Sequence, residues 1–284
     1  MLFNNKQSTA DTSVPVIDIR PSRSWVPINL KDLWIYRELL YFLTWREIKV
    51  RYKQTILGFA WAIIQPFFMM VVFTLFFGNL AKVPSEGIPY PLFNYAALLP
   101  WTLFAEGLTR SSNSLVQDAN LVRKIYFPKL VMPLSGVLSP VVDFAIAFTI
   151  LIGMMFYYGY SPTVNILWLP LFILLAVATA LGTGLWLSAL NIKYRDIRYV
   201  IPFIIQIWMF ASPVVYSSNL LPQQFQLIYA LNPMSGVIEG FRWALLGTEP
   251  PGAMIAVSAC IVFLLVVTGA YYFRHSEKTF ADVS

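Results

Sequence analysis

Hydrophobic positions in this chain gather into long unbroken runs, unlike the strict alternations or one-sided stripes of a water-soluble fold. A helix needs about 20 apolar residues to cross a bilayer. Six runs reach that length, near 57–79, 92–116, 131–158, 166–190, 199–217 and 254–273. The pattern predicts an all-α membrane protein with six transmembrane helices. Two stretches depart from a plain bundle. Residues 30–53 interleave Leu33, Trp34, Leu39, Leu40, Leu43, Trp45 and Ile48 with Arg37, Glu38, Arg46, Glu47, Lys49 and Arg51. That mixture suits an amphipathic helix lying in the cytoplasmic interface with Trp at headgroup level; the plainer alternative is a positive patch beside the membrane. Residues 218–252 are too long for a tight turn and too polar for another span. With Leu220, Phe225, Ile228, Val237, Phe241 and Leu245 they are also too apolar for a free loop, and Pro222 and Asn232-Pro233 break them. They read as a re-entrant helical hairpin from the outer side, or as a helical cap on the outer interface.

Composition agrees. Hydrophobic residues make up 58% of the 284 positions and charged residues 12%, where soluble domains carry about a quarter charged. The charges orient the chain. Nine basic residues precede the first run, three lie in 117–130 (Arg123, Lys124, Lys129), three in 191–198 (Lys193, Arg195, Arg198) and two after the last run. Seventeen of twenty thus fall on one side, against Lys82 and Arg242 opposite and Arg110 inside a run. Such a bias makes the basic side cytoplasmic, with both termini there. The net charge of +6 then reflects topology and gives no reason to expect a nucleic-acid partner. Residues 1–29 read as a flexible cytoplasmic N-terminus and 275–284 as a cytoplasmic tail. The polar start lacks the apolar core of a cleavable signal. The lone Cys260, inside the last run, reads as a packing residue.

Residues suited to catalysis are few. His275 is the sole histidine, no Cys/His group has metal-ligand spacing, and no stretch matches G-x-x-x-x-G-K-[ST]. The sequence therefore points to no catalytic residue, metal site or cofactor of its own. Glu106, Arg110 and Asp143 are the ionisable residues within runs. Glu106 and Arg110, four apart, form a candidate intramembrane ion pair, although Arg110 also lies within snorkelling reach of the cytoplasmic end. Aromatic residues are abundant: 22 Phe, 15 Tyr and 9 Trp. Interfacial belts absorb part of these, but Trp61, Phe67, Phe68, Phe73, Trp208 and Phe210 fall inside or next to runs. Their flat faces suit either packing or stacking against sugar rings.

Five stretches carry a resemblance: LGFAWAIIQPF (57–67), NLVRKIYFPKLVMPL (120–134), NIKYRDIRYVIPFIIQIWMFASPVVY (191–216), NPMSGVIEGFRWALLG (232–247) and EKTFADVS (277–284). Together, from about residue 30 to the end, they resemble the membrane subunit of type-2 polysaccharide ABC exporters, which move lipid-linked O-antigen, capsule or teichoic acid. The resemblance implies a transmembrane domain over 54–274 and a permease in the bacterial inner membrane. It also implies a homodimer, two copies of a separate ATPase that holds ATP and Mg, membrane lipids around it and a lipid-linked polysaccharide as cargo. A coupling helix at 118–128 is implied to dock into that ATPase through Asn120, Leu121, Val122, Arg123, Lys124, Ile125, Tyr126 and Phe127, closed by Pro128. The knobs Ile125, Tyr126 and Phe127 are expected to face the cytosol. Spans one and five are implied to line the path, placing Trp61, Gln65, Phe68, Gln206, Trp208, Phe210 and Tyr216 along it. Residues 218–247 correspond to outer gate helices, with Phe225, Tyr229, Glu239, Arg242 and Trp243. In the second cytoplasmic loop, by Tyr194, an Arg195–Asp196 contact is a candidate brace. Two other functions stay open: a half-size ABC permease for a drug or lipid, and a membrane enzyme acting on lipid-linked sugars. The enzyme would need a cluster of carboxylates or His, which Glu106, Asp143, Glu239 and His275 do not assemble in sequence.

Overall fold

The computed structural model describes residues 30–53, 58–194, 196–220, 222, 225 and 228–277, and every regular element among them is helical. The interface stretch folds as two helices, α1 (Leu30–Ile35) and α2 (Arg37–Lys53), divided at Tyr36. Then come α3 (Gly58–Phe73), continued by a π-helical stretch Thr74–Leu80, and α4 (Tyr90–Gln117). The short α5 (Ala119–Lys124) leads into α6 (Val131–Leu138) and α7 (Pro140–Tyr157). After a 3-10 turn at Val164–Trp168 follow α8 (Leu169–Lys193), α9 (Ile197–Phe210), α10 (Pro233–Leu246) and α11 (Ala253–Glu277).

Among the described residues, four stretches are long and apolar enough to cross a membrane: Ala60–Leu80, Val131–Tyr157, Val164–Lys193 and Ala253–Glu277. The other two expected spans differ from these in instructive ways. α4 has 28 residues, about 42 Å of helix at 1.5 Å per residue, but carries Asn94, Thr102, Glu106, Thr109, Arg110 and Ser111–Ser114. It tolerates them because it is the central helix, packed by α3, α6, α7, α8, α9 and α10. Three of its hydroxyls are also satisfied within the helix: Thr102, Thr109 and Ser114 donate to the Leu99, Ala105 and Ser111 carbonyls at 2.9, 2.8 and 2.8 Å. α9, expected over 199–217, stops at Phe210. Its 14 residues reach about 21 Å, short of the roughly 30 Å hydrocarbon core. Residues 211–217 turn instead, Pro213 among them, and their carbonyls are taken by a side chain from α10, described below.

α10 shows why it forms where it does. Asn232 caps it, accepting the Met234 N–H at 3.1 Å; Pro233 occupies the first turn; and Gly247, at φ +70°, ends it with its N–H on the Trp243 carbonyl at 3.2 Å. All of its residues except Trp243 are buried. Packing is closest where side chains are small. A Cβ added at Gly269 (α11) would meet the Gly182 carbonyl (α8) at 2.4 Å, and one at Gly136 (α6) the Ser111 amide (α4) at 2.8 Å. In a bilayer, where lipid is as apolar as Leu, such close approach rather than hydrophobic exclusion holds helices together. The buried apolar residues form two clusters. The larger is centred on α4, α7, α8 and α10; the smaller joins Leu43 of α2 to Phe127, Leu130, Val131 and Met132, and to Leu185, Ala189, Ala270 and Phe273.

Candidate functional site

A cavity of about 210 Å³ opens between α3, α4, α7 and α9. Trp61, Gln65 and Met69 form one wall, Trp101 and Glu106 another, Asp143 and Phe144 a third, and Ile205 and Met209 the fourth; Arg51 reaches in from α2. Thus α3 and α9, distant in sequence, share one space. Of the residues expected along the path, Trp61 and Gln65 stand in this wall. Phe68, Gln206 and Phe210 are exposed on the same two helices. Trp208 instead turns inward: its ring meets Phe104 edge-on at 4.8 Å and its Nε1–H donates to Asn232 Oδ1 at 2.8 Å. Tyr216, beyond α9, shares a 2.7 Å hydrogen bond with the Tyr229 hydroxyl and packs on the main core.

At the α2 end of the cavity lies a set of ionic contacts. Glu106 and Arg110 approach to 3.4 Å, and each also meets a further charge: Arg51 is 3.8 Å from Glu106, and Arg110 is 4.0 Å from Glu47. Arg51 pairs with Asp143, to which Tyr52 donates its hydroxyl. Burial and that hydrogen bond push the Tyr52 phenol well above its ordinary range, so it remains a donor through physiological pH. Glu47 accepts the Ser139 hydroxyl at 2.9 Å and the Ser135 hydroxyl at 3.4 Å. Arg46 pairs with Asp118, the residue that precedes α5. The sequence names Glu106 and Arg110 but misses Arg51 and Glu47 as their partners, and it misses the neighbouring contacts of Tyr52 with Asp143 and of Arg46 with Asp118. One signal was present: Leu43, Glu47 and Arg51 recur every four residues and so share one helix face. That face packs inward, while Trp34, Tyr41, Phe42 and Trp45 point outward at 71%, 71%, 61% and 52% exposure. The aromatic residues of its outer side are turned away from the protein, as suits contact with lipid.

The segment expected as a coupling helix over 118–128 is helical only to Lys124. Asn120, Leu121, Val122 and Lys124 lie on α5; the Arg123 side chain falls outside the described residues. Ile125 is extended (φ −124°, ψ 134°), and the chain then splits its knobs. Ile125 and Tyr126 are exposed at 55% and 74%, but Phe127 is 5% exposed and seated in the smaller core. Of the three expected knobs, two are therefore exposed and one is buried. Phe127 is instead buried in the cluster that also holds Leu43 and Val131. In the second loop Tyr194 is exposed, with the Lys193 amine 5.3 Å from its ring centroid. Arg195 lies outside the described residues, and so does its expected contact with Asp196.

At the opposite end, Arg242 is wholly buried. Its guanidinium donates to the carbonyls of Phe93 (3.3 Å), Tyr216 (3.1 Å) and Val214 (2.8 Å). It also lies 3.6 Å from the Phe93 ring centroid and 3.6 Å from Glu239, whose carboxylate accepts the Ser218 N–H at 2.7 Å. This charge, one of the few on the non-basic side, thus serves as the fastening of the 211–217 turn. Asn232 adds a second tie, donating to the Ala211 carbonyl at 3.0 Å and the Ser212 hydroxyl at 2.9 Å. Phe225 is exposed, Tyr229 half-buried on Tyr216, and Trp243 half-buried against the main core.

Comparison with known proteins places these features in a family. The profile of the ABC-2 type transporter family matches residues 38–246. An O-antigen export system permease protein (RfbA) of Klebsiella pneumoniae is 28% identical over 87% of this chain and 95% of its own length. The Myxococcus xanthus protein of the same name is 29% identical over 87% and 96%. The polysialic acid transport protein KpsM of Escherichia coli is 22% identical over 82% and 91%. The chain therefore belongs to the ABC-2 type transporter family, whose members are multi-pass inner-membrane permeases working with an ATPase subunit.

Proposed function

We propose that this chain is the permease half of an exporter that carries a lipid-linked polysaccharide across the bacterial inner membrane. Two copies pair to enclose the path. Two copies of a separate ATPase, which binds ATP and Mg, drive transport. Six segments cross the bilayer: the four long apolar stretches, α4, and α9 with the turn that follows it. α10 and the residues before it re-enter from the outer side as the gate, and both termini are cytoplasmic.

The observation that carries this reading is the wall shared by α3 and α9, where Trp61, Gln65, Phe68, Gln206 and Phe210 stand exposed or line the cavity. Aromatic faces stack on the apolar faces of sugar rings, and amides exchange hydrogen bonds with hydroxyls. A polymer slides along such a wall because many equivalent weak contacts replace one deep minimum. The names of the relatives, O-antigen export and polysialic acid transport, point to the same class of cargo. Ile125 and Tyr126, apolar knobs at the end of α5, are suited to a cleft in the ATPase. Nucleotide-driven closure of the ATPase then moves α5, and with it the inner ends of α4 and α6.

The test is ATP hydrolysis by the ATPase subunit reconstituted with and without this chain. Hydrolysis is expected to depend on the chain and to fall when Tyr126 is changed to Ala. An ATPase that neither co-purifies with the chain nor changes rate in its presence contradicts the proposal.

A further inference from the structure

The inward face of α2 contacts four other elements through charged groups. Arg46 holds Asp118 at the start of α5, Glu47 holds Ser135 and Ser139 at the α6–α7 junction, and Arg51 holds Asp143 on α7 and faces Glu106 on α4. Arg51, Glu106 and Asp143 also form the α2 end of the cavity between α3, α4, α7 and α9. Their side chains are 26%, 38% and 14% exposed, so these groups are partly desolvated. α2 therefore cannot shift without withdrawing the guanidinium from two carboxylates in the cavity wall. Nor can α5 shift without pulling on α2 through Arg46. The two elements at the cytoplasmic surface are thus joined to the inner end of the cavity by ionic contacts of Arg46 and Arg51, about one and a half turns apart on α2.

We propose that Arg51 is a positioning residue that couples the interface helix to the inner end of the translocation path. Paired with Asp143 and Glu106 it holds α4 and α7 together and keeps that end narrow. Displacement of α2 and α5 breaks the pairing and lets α4 and α7 part. Tyr52, donating to the same Asp143, keeps that carboxylate in place as the pairing is made and broken. The inference rests on the exporter reading above and adds to it the link between the ATPase surface and the path. Partly buried ionic contacts suit such a role because they have two defined states, paired and separated, where an apolar contact slides.

The experiment uses the full complex with its ATPase, in cells for export and in proteoliposomes for ATP hydrolysis. Arg51→Glu places like charge beside Asp143 and Glu106. It is expected to assemble with the ATPase and hydrolyse ATP at close to the normal rate, while surface polysaccharide falls by about 5- to 150-fold, the span of ordinary coupling free energies. Adding Asp143→Arg to Arg51→Glu re-forms the pair with its charges exchanged and is expected to restore most export; Arg51→Lys, which keeps the charge, loses little. Should Arg51→Glu fail to accumulate in the membrane, Arg51→Gln, of similar size and uncharged, carries the same test. Normal export by Arg51→Glu overturns the inference, as does a parallel fall of hydrolysis and export, which marks a merely structural residue. Failure to rescue by the exchanged pair overturns it too. If the unmodified chain itself proves unnecessary for export, it is the exporter reading that falls instead.

Discussion

Arg242 illustrates what a single buried charge demands. No solvent reaches it, and its guanidinium is satisfied by three backbone carbonyls, an aromatic face and Glu239. Removing it strands Glu239 and three carbonyls, so Arg242→Ala is expected to destabilise the protein by about 3–5 kcal/mol. Arg242→Lys retains charge but not the planar fork and falls between the two. Thermal unfolding of the detergent-solubilised chain reads both. Phe127 and Tyr126 form a second contrast, adjacent in sequence and opposite in environment. Phe127→Ala empties a core position at a cost of about 3–5 kcal/mol. Tyr126→Ala leaves stability near normal and is read in ATPase coupling. The sequence marks Arg242 as an oddity and 125–127 as a knob cluster. It cannot reveal that the partners of Arg242 are carbonyls, which have no residue signature, or which of three consecutive apolar side chains turns inward.

At the scale of elements, periodicity and apolar runs find the helices, while their ends depend on contacts made elsewhere in the chain. Asn232-Pro233 marks a real boundary, whereas Pro128, expected to close the coupling helix, lies four residues beyond its end at Lys124. The stop of α9 at Phe210 depends on Arg242 and Asn232 reaching across to the 211–217 turn. A helix was legible over α2, but Glu47 and Arg51 on it pack inward on charges from α4 and α7, which a sequence window does not contain. Helix contacts depend on small residues in the same way. At Gly269 an added side chain runs into the Gly182 carbonyl, whereas at Gly153 it meets nothing within 4 Å. Gly269→Val is accordingly expected to lose about 1–3 kcal/mol by forcing α8 and α11 apart. Gly153→Ala is expected to be neutral or to gain up to about 1 kcal/mol of helix propensity. Denaturation midpoints of the two variants, measured side by side, check the pair.

For the whole molecule, asymmetry of charge and of surface chemistry carries the functional reading. In the proposed topology one face holds most of the basic residues, the exposed Tyr126 and α2, and the other holds the buried Arg242 and the proposed gate segment; between them α3 and α9 contribute aromatic and amide side chains to one cavity and its surroundings. A chain with no phosphate-binding motif of its own, in a family whose permeases work with an ATPase, is suited to passing motion from one face to the path. The most direct measurement is the fate of the polysaccharide in cells lacking this chain. The account predicts that lipid-linked polysaccharide accumulates inside while the surface polymer disappears, and that the intact gene, but not one carrying Arg51→Glu, restores it. Undiminished surface polymer in the deletion strain would contradict the account.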